Sequence, residues 1–194
     1  MSFITGTSAE LLYQNITSGT AKNTFTAEAV INDTAGMGPQ AQIPPYFFDP
    51  SYGRAKSLMI IASGILGTTS APTFTFTIRL GASGTSGPII LGSAALTAAT
   101  TVSNKLWTVT GIVTARTLGA AGANSTLMGI GQVESPGGLA SPFSGELWGG
   151  AAQPGTIATV DISITNFINF NVACGTSNAS NTITLLSLSV FGLN

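Results

Sequence analysis

Two consecutive segments, residues 57–66 and 73–80, constrain the fold more than any other part of the sequence. The first is apolar at both even and odd positions, which is typical of a strand covered on both faces. The second alternates phenylalanine, isoleucine and leucine with threonine and arginine, the pattern of a half-buried strand. Residues 67–72 carry glycine and proline and predict a turn between them. We therefore predict a strand pair whose first member needs a second cover, from the opposite sheet or from a neighbouring subunit.

The same strand patterns recur along the chain between glycine-rich turns, and no segment has the periodicity of a helix of three turns. About eight main strands with loops at their ends favour an all-β, antiparallel jelly-roll sandwich over residues 23–194. We expect Trp107 to lie in its core and residues 94–103 to form a loop. The main predicted strands are residues 24–31, 57–66, 73–80, 89–91, 106–118, 125–134, 167–174 and 182–192, with a further short strand over residues 157–164.

Residues 1–22 have a different texture, with few apolar side chains among serine, threonine, glycine and asparagine. We predict an extended N-terminal arm that becomes ordered on a partner; the alternative is a frayed terminus. Anchoring to that partner is assigned to the apolar side chains of the arm: Phe3, Ile4, Leu11, Leu12 and Tyr13.

Residues 135–156 form the longest predicted loop, rich in glycine and proline. Loops of this length are usually functional or disordered, and disordered segments avoid large apolar side chains. Because this loop contains Phe143, Leu147 and Trp148, we expect it to be ordered against something and to contribute contacts. Trp148 is open to core-capping, subunit contact or ligand stacking.

A subunit interface is predicted from strands that are apolar on both parities, because one subunit would struggle to cover them. Residues 57–66 and 182–191 have this property. The interface is assigned to one parity of each strand, which contains Met59, Ile61, Ile65, Leu186, Leu188 and Val190.

The composition of the chain argues against nucleic-acid binding, membrane binding and catalysis. Charged residues make up 7% of the 194 residues, against about 25% in ordinary domains, and the net charge is −1. A chain without a basic field is not expected to bind nucleic acid or an anionic membrane.

There is no histidine to act as a general base or zinc ligand. Cys174 lies in an apolar strand, so we expect a buried, inert thiol. We predict no enzyme activity, catalytic residue, metal site or cofactor, and the first residues do not resemble a signal peptide.

Several segments together resemble the jelly-roll structural proteins of tailed bacteriophage virions, notably capsid decoration (cement) proteins. They are IP at 43–44, YGRAK at 52–56, MIIASG at 59–64, APTFTFTIRLG at 71–81, WTVTG at 107–111 and CGTSNASNTIT at 174–184. The resemblance spans about residues 41–194 and leaves the arm uncovered. It implies a homotrimer with a tumour-necrosis-factor-like jelly roll. This trimer would be made in the host cytoplasm and would bind the major capsid protein on the outer surface of the virion. The alternative it leaves open is the receptor- or glycan-binding tip of a fibre or spike.

Overall fold

The structure is a computed structural model that describes residues 9–15, 17–32, 40–52, 57–81, 87–135, 143–149 and 158–193. Within these ranges the chain forms thirteen strands and two short 3-10 turns, Pro50–Tyr52 and Ala120–Gly122, and it contains no α-helix. The strands are β1 (Ala9–Gln14), β2 (Ala29–Val30), β3 (Gln42–Ile43), β4 (Ser57–Thr69), β5 (Thr73–Gly81), β6 (Ile89–Ser93), β7 (Leu96–Thr97), β8 (Thr101–Thr117), β9 (Ser125–Ser135), β10 (Phe143–Trp148), β11 (Ala158–Val160), β12 (Asn166–Cys174) and β13 (Thr182–Leu193).

The strands form one curled antiparallel sheet in the order β1-β13-β4-β8-β9-β10-β6-β5-β12-β2. The short strands β11, β3 and β7 pair with β9, β12 and β5 respectively. Consecutive strands repeatedly lie in opposite halves of the sheet: β4 and β13 pair with each other, whereas β5 and β12 pair in the other half. This alternation between halves is the jelly-roll pattern, and the predicted all-β antiparallel sandwich is confirmed.

The core lies between the two halves of the curled sheet. Trp107 on β8 is fully buried, and its ring centroid lies 5.3 Å from that of Phe76 on β5 and 5.7 Å from that of Phe170 on β12. Strands β8 and β5 are separated in the sheet by β9, β10 and β6, so these rings meet across the sandwich. The Trp107 Nε1 donates a hydrogen bond to the Ile65 carbonyl oxygen at 3.2 Å, which satisfies its buried N–H. The predicted core position of Trp107 is confirmed.

Three sequence-based boundaries differ from the structure. Of the strand predicted over residues 24–31, only Ala29–Val30 forms a strand; it pairs with β12, and the Ile31 amide also donates to the Phe170 carbonyl oxygen. Earlier in the segment, the Thr24 amide donates instead to the Asn178 carbonyl oxygen. The loop predicted over residues 94–103 contains β7 and the beginning of β8. The loop predicted over residues 135–156 contains β10, which pairs with β9 and β6.

The N-terminal segment is extended, as predicted, but its described part lies on this chain's own sheet. Strand β1 pairs with the end of β13, and the Gly19 and Lys22 amides donate to carbonyl oxygens further along β13, at 2.8 Å and 2.9 Å. The expectation that this segment becomes ordered only on a partner is therefore wrong for residues 9–15 and 17–22. Backbone hydrogen bonds to β13 hold this segment, and Leu12 and Tyr13 add packing against the core.

Candidate subunit interface

One apolar row crosses the outward face of the sheet. Side chains alternate between the two faces of a strand, so residues paired in register lie side by side on one face. Following the register across six strands, from β1 through β13, β4, β8 and β9 to β10, defines the apolar row: Leu11, Phe191, Met59, Ile112, Ile130 and Trp148. The exposed fraction is 58% for Ile130, 51% for Leu11 and 39% for Ile112. The chain alone therefore leaves much of the apolar row in contact with water.

The surroundings of the apolar row are small and mostly uncharged. Its neighbours in the adjacent rows include Ile61, which is 39% exposed, with serine and threonine at most other positions. Shallow grooves of about 440 Å³ and 280 Å³ lie beside Ile112 and Ile130. The charged residues that share this face on β8, β9 and β10 are Arg116, Glu134 and Glu146. A broad apolar face with few charges has a small desolvation cost, as in the centre of protein–protein interfaces.

The structure brings three of the predicted interface residues onto this face. Met59, Ile61 and Ile65 all point outward from β4, with Met59 and Ile65 half-buried. Leu186 on β13 is also half-buried. The predicted second apolar face of β4 therefore exists, and the opposite half of the sandwich does not cover it.

The assignment of Leu188 and Val190 to a subunit interface is wrong, because both side chains are fully buried in the core. The register between β13 and β4 shifts between Leu185 and Ser187, so one extra residue forms a β-bulge. A bulge exchanges inward and outward positions in the rest of the strand. Beyond it, Leu188 and Val190 point inward with Ile183, and Phe191 takes the outward position in the apolar row.

Asn15 is bonded to both sides of this bulge. Its Nδ2 donates to the Leu186 carbonyl oxygen at 3.0 Å, and its Oδ1 accepts a hydrogen bond from the Leu188 amide. Its own amide donates to the Leu188 carbonyl oxygen at 3.1 Å. The asparagine side chain thus continues the hydrogen bonding of β1 along β13, beyond the last register pair of Gln14 with Ser189. Asn32 does the same after β2, where its side chain bonds the Ile168 carbonyl oxygen and the Phe170 amide of β12.

The predicted anchoring residues of the arm divide into two groups. Phe3 and Ile4 lie outside the described residues. Leu12 and Tyr13 pack partly against the core, and burial raises the pKa of the Tyr13 hydroxyl. Leu11 lies at one end of the apolar row. These three residues belong to the sheet edge rather than to a free arm.

The predicted loop contacts also separate. Leu147 is 3% exposed and packs inward from β10, so its assignment as a contact residue is wrong. Its register places it between Gly131 of β9 and Ser93 of β6. Trp148, the next residue, points outward, is half-buried and ends the apolar row. The side chain of Phe143 lies outside the described part of the structure.

Outside the apolar row, the described residues include one buried thiol and one ion pair. The Cys174 thiol is 1% exposed, as predicted, and lies 3.2 Å from the Thr176 carbonyl oxygen, to which it donates. Among the described residues, no three histidine, cysteine, aspartate or glutamate side chains cluster as metal ligands would. The Arg79 guanidinium holds Glu28 through two hydrogen bonds of 2.8 Å, and these bonds raise the pKa of Arg79. Nor does the described structure contain a helix with the length and apolarity needed to cross a membrane.

Sequence reasoning missed three members of the apolar row: Ile112, Ile130 and Phe191. Ile112 stands among threonines on the outward parity of β8, and Ile130 stands between Met128 and Gln132 on that of β9. Large apolar side chains on an otherwise polar parity were the available signal. These side chains form a continuous apolar row only when the sheet register aligns them.

The chain matches no protein-family model, and a comparison with curated proteins finds no match. The described geometry offers an exposed apolar face. Burying apolar area on such a face contributes roughly 25 cal/mol per Å² before the cost of association is subtracted.

Proposed function

We propose that this chain is a structural virion protein, a capsid decoration protein that binds and stabilises the head of a tailed phage as a homotrimer. The observation that carries the proposal is the exposed, nearly uncharged apolar row on an all-β sandwich. The sequence resemblance over residues 41–194 supplies the virion context. The low overall charge is typical of a surface that packs against other protein subunits.

The homotrimer is assigned to the outward face that carries the apolar row. Large apolar side chains at 39% to 58% exposure are stabilised when a second copy excludes water from them. Apart from β1 at the edge of the sheet, the face lies on strands that are paired on both sides, so most of it presents a rigid surface. A rigid surface loses little conformational entropy on association.

Attachment to the major capsid protein is assigned to residues outside the described structure, in particular Phe3 and Ile4. The part of the arm that docks on β13 sets the place from which such a segment would emerge, next to Ala9 at the end of β1. Three copies on one trimer would add avidity to weak single contacts.

A receptor- or glycan-binding tip of a fibre or spike is the second candidate. Trp148 and Glu146 share the outward face of β10, and Gln132 is in register with Glu146. An aromatic ring near a carboxylate and an amide is a typical sugar-binding combination. In this reading Trp148 stacks on a sugar instead of packing against a second copy.

Two measurements separate these functions. Purified chain is mixed with particles that lack it, and cryo-electron microscopy of the washed particles locates any bound copies. A decoration protein gives ordered trimers on the head and no signal on a glycan array. Specific glycan binding that is lost in Trp148→Ala, with no density on the head, would contradict the decoration function.

A further inference from the structure

We infer that copies of this chain associate around an axis that runs along the apolar row, across the strands, and that Arg116 of one copy pairs with Glu134 of the next. The inference rests on the proposed self-association and deepens it by naming the symmetry axis and the charged contact. Nothing in the sequence pattern of any single strand contains this arrangement, because it depends on the register between β8 and β9.

Arg116 lies on the same outward face as the apolar row. It belongs to the bulge at the end of β8, where the register with β9 shifts between Ala115 and Thr117. Together with Ile112, Met128 and Ile130, it lines a groove of about 280 Å³. Among the residues that the structure describes, the only ion pair joins Arg79 to Glu28, so none of the described carboxylates pairs with the Arg116 guanidinium.

Glu134 lies on the other side of the apolar row. It is exposed on β9, in register with Thr108 of β8, and accepts a hydrogen bond of 2.9 Å from the Gln132 side chain. Ile112 is four residues from Thr108 in one direction and four residues from Arg116 in the other. At a rise of roughly 3.3 Å per residue, the two opposite charges lie about 13 Å on either side of the row.

This placement is complementary under rotation about the row. A rotation axis along the row exchanges the two sides of the face between neighbouring copies. The positive flank of one copy then meets the negative flank of the next, at nearly the same height, because β8 and β9 are adjacent strands about 4.8 Å apart. If the axis ran parallel to the strands, Arg116 would stay at the same level along that axis in every copy. It would then face uncharged positions of the neighbouring copy instead of Glu134.

The dimensions suit a closed trimer. Three flat faces around a three-fold axis form a triangular prism, with the apolar row along the middle of each face. Each edge of the prism is then about 1.7 times as far from the row as the face is from the axis. If the flanks, about 13 Å from the row, lie at these edges, each sheet is about 7 to 8 Å from the axis. Packed sheets lie about 10 Å apart, or about 5 Å on each side of their midplane, so the larger spacing leaves room for three copies of isoleucine, methionine and phenylalanine side chains.

The area of each pairwise contact is small. Six strands at a spacing of about 4.8 Å, and about 26 Å of strand length between the flanks, give roughly 600 Å² of flat face per subunit. A closed trimer divides this face between two neighbours, about 300 Å² each, whereas standard interfaces bury about 800 Å² per partner. The assembly therefore depends on all three contacts forming together, and the charge pattern, rather than the area, identifies a second copy as the occupant.

Charge exchange tests the pairing. We expect Arg116→Glu to raise the concentration at which the assembly dissociates by at least tenfold in sedimentation equilibrium, because it places like charges at every seam. The double variant Arg116→Glu/Glu134→Arg restores the wild-type value within about threefold. Lys105→Glu is the matched control: it makes the same change in charge on the same strand, at an exposed position on the opposite parity, and should have no effect.

Crosslinking keeps the test decisive if a charge variant fails to fold. Within one subunit positions 116 and 134 are about 26 Å apart, so a short bis-maleimide joins Arg116→Cys to Glu134→Cys only between copies. We expect the double-cysteine variant to give crosslinked species up to three chains and each single variant to give none. An assembly that tolerates Arg116→Glu as well as Lys105→Glu, or that crosslinks in a single-cysteine variant, overturns the pairing but leaves the decoration function standing. A monomeric wild-type chain overturns both.

Discussion

Replacing Asn15 with alanine tests how firmly the N-terminal segment belongs to the sheet. The side chain is 7% exposed and bridges the bulge of β13. Its Nδ2 donates to the carbonyl oxygens of Thr17 at 2.7 Å and Leu186 at 3.0 Å, and its Oδ1 accepts from the Leu188 amide. Alanine removes all three hydrogen bonds and leaves the Leu188 N–H without a partner.

The expected loss of stability follows from these bonds. Each contributes about 1 kcal/mol, and an unsatisfied buried N–H costs a further amount of about 1 kcal/mol or more. Water at the sheet edge recovers part of this loss. We therefore expect Asn15→Ala to lower the free energy of unfolding by about 3 kcal/mol.

Urea unfolding followed by circular dichroism measures this change, and hydrogen exchange locates it at the Leu188 amide. Asn23→Ala is the control, since Asn23 is exposed in the same segment and accepts only a long hydrogen bond of 3.4 Å from Thr24. We expect the control to stay within about 0.5 kcal/mol of the wild type. A loss below about 1 kcal/mol for Asn15→Ala, with the Leu188 amide still protected, would refute the assigned role of this side chain.

The remaining predictions concern the core and one exposed turn. Gly64→Ala should destabilise the fold by about 3 kcal/mol or more, because an added Cβ would lie 2.4 Å from the Trp107 ring; thermal unfolding measures it, and an unchanged melting temperature would contradict that packing. Cys174→Ser should cost about 1 to 2 kcal/mol without changing particle binding, and rapid labelling of the native thiol would argue against its burial. The Ser163 side chain and amide both donate to Asp161 and hold the pKa of that carboxyl below its ordinary value. The resulting contribution to stability is present above the unfolded-state pKa and lost as pH falls through the lower folded-state pKa, so Ser163→Ala should raise the Asp161 pKa in an NMR titration; an unmoved pKa would contradict the assigned cause.

The parts of the fold that follow a simple alternation could be predicted from the sequence. Along β5 the phenylalanines and aliphatic residues point inward and the threonines mostly outward, as period-two patterning requires. The same holds for the inward residues of β8 around Trp107. These strands are long, so a single buried face determines their orientation without reference to any partner.

The orientation of β13 shows where sequence reasoning went wrong. Residues 182–185 alternate with apolar side chains at odd positions, whereas residues 187–190 alternate with apolar side chains at even positions. The apolar pair Leu185 and Leu186 marks the change of parity, which is the β-bulge. Read as one uninterrupted strand, this segment looks apolar on both faces, and Leu188 and Val190 are placed on the wrong one.

The candidate interface depends on register, which one strand's sequence does not contain. Ile112 and Ile130 become neighbours only because β8 pairs with β9 at that position, and β9 in turn brings in Trp148 from β10. Strand β10 itself lies in a glycine- and proline-rich stretch whose composition predicts a loop. Its pairing with two neighbouring strands overrides that local preference.

The molar mass of the chain in solution tests the central claim most directly. Multi-angle light scattering over a range of micromolar concentrations should give about three times the chain mass of 19.5 kDa for the wild type. Ile112→Lys places a charge at the centre of the apolar row without touching the core, so it should give the mass of a single chain. Its free energy of unfolding should stay within about 0.5 kcal/mol of that of the wild type, with both proteins measured at a concentration low enough for the wild type to be monomeric. A wild-type protein at the single-chain mass, or an Ile112→Lys variant that stays at the mass of three chains, would contradict self-association through this face.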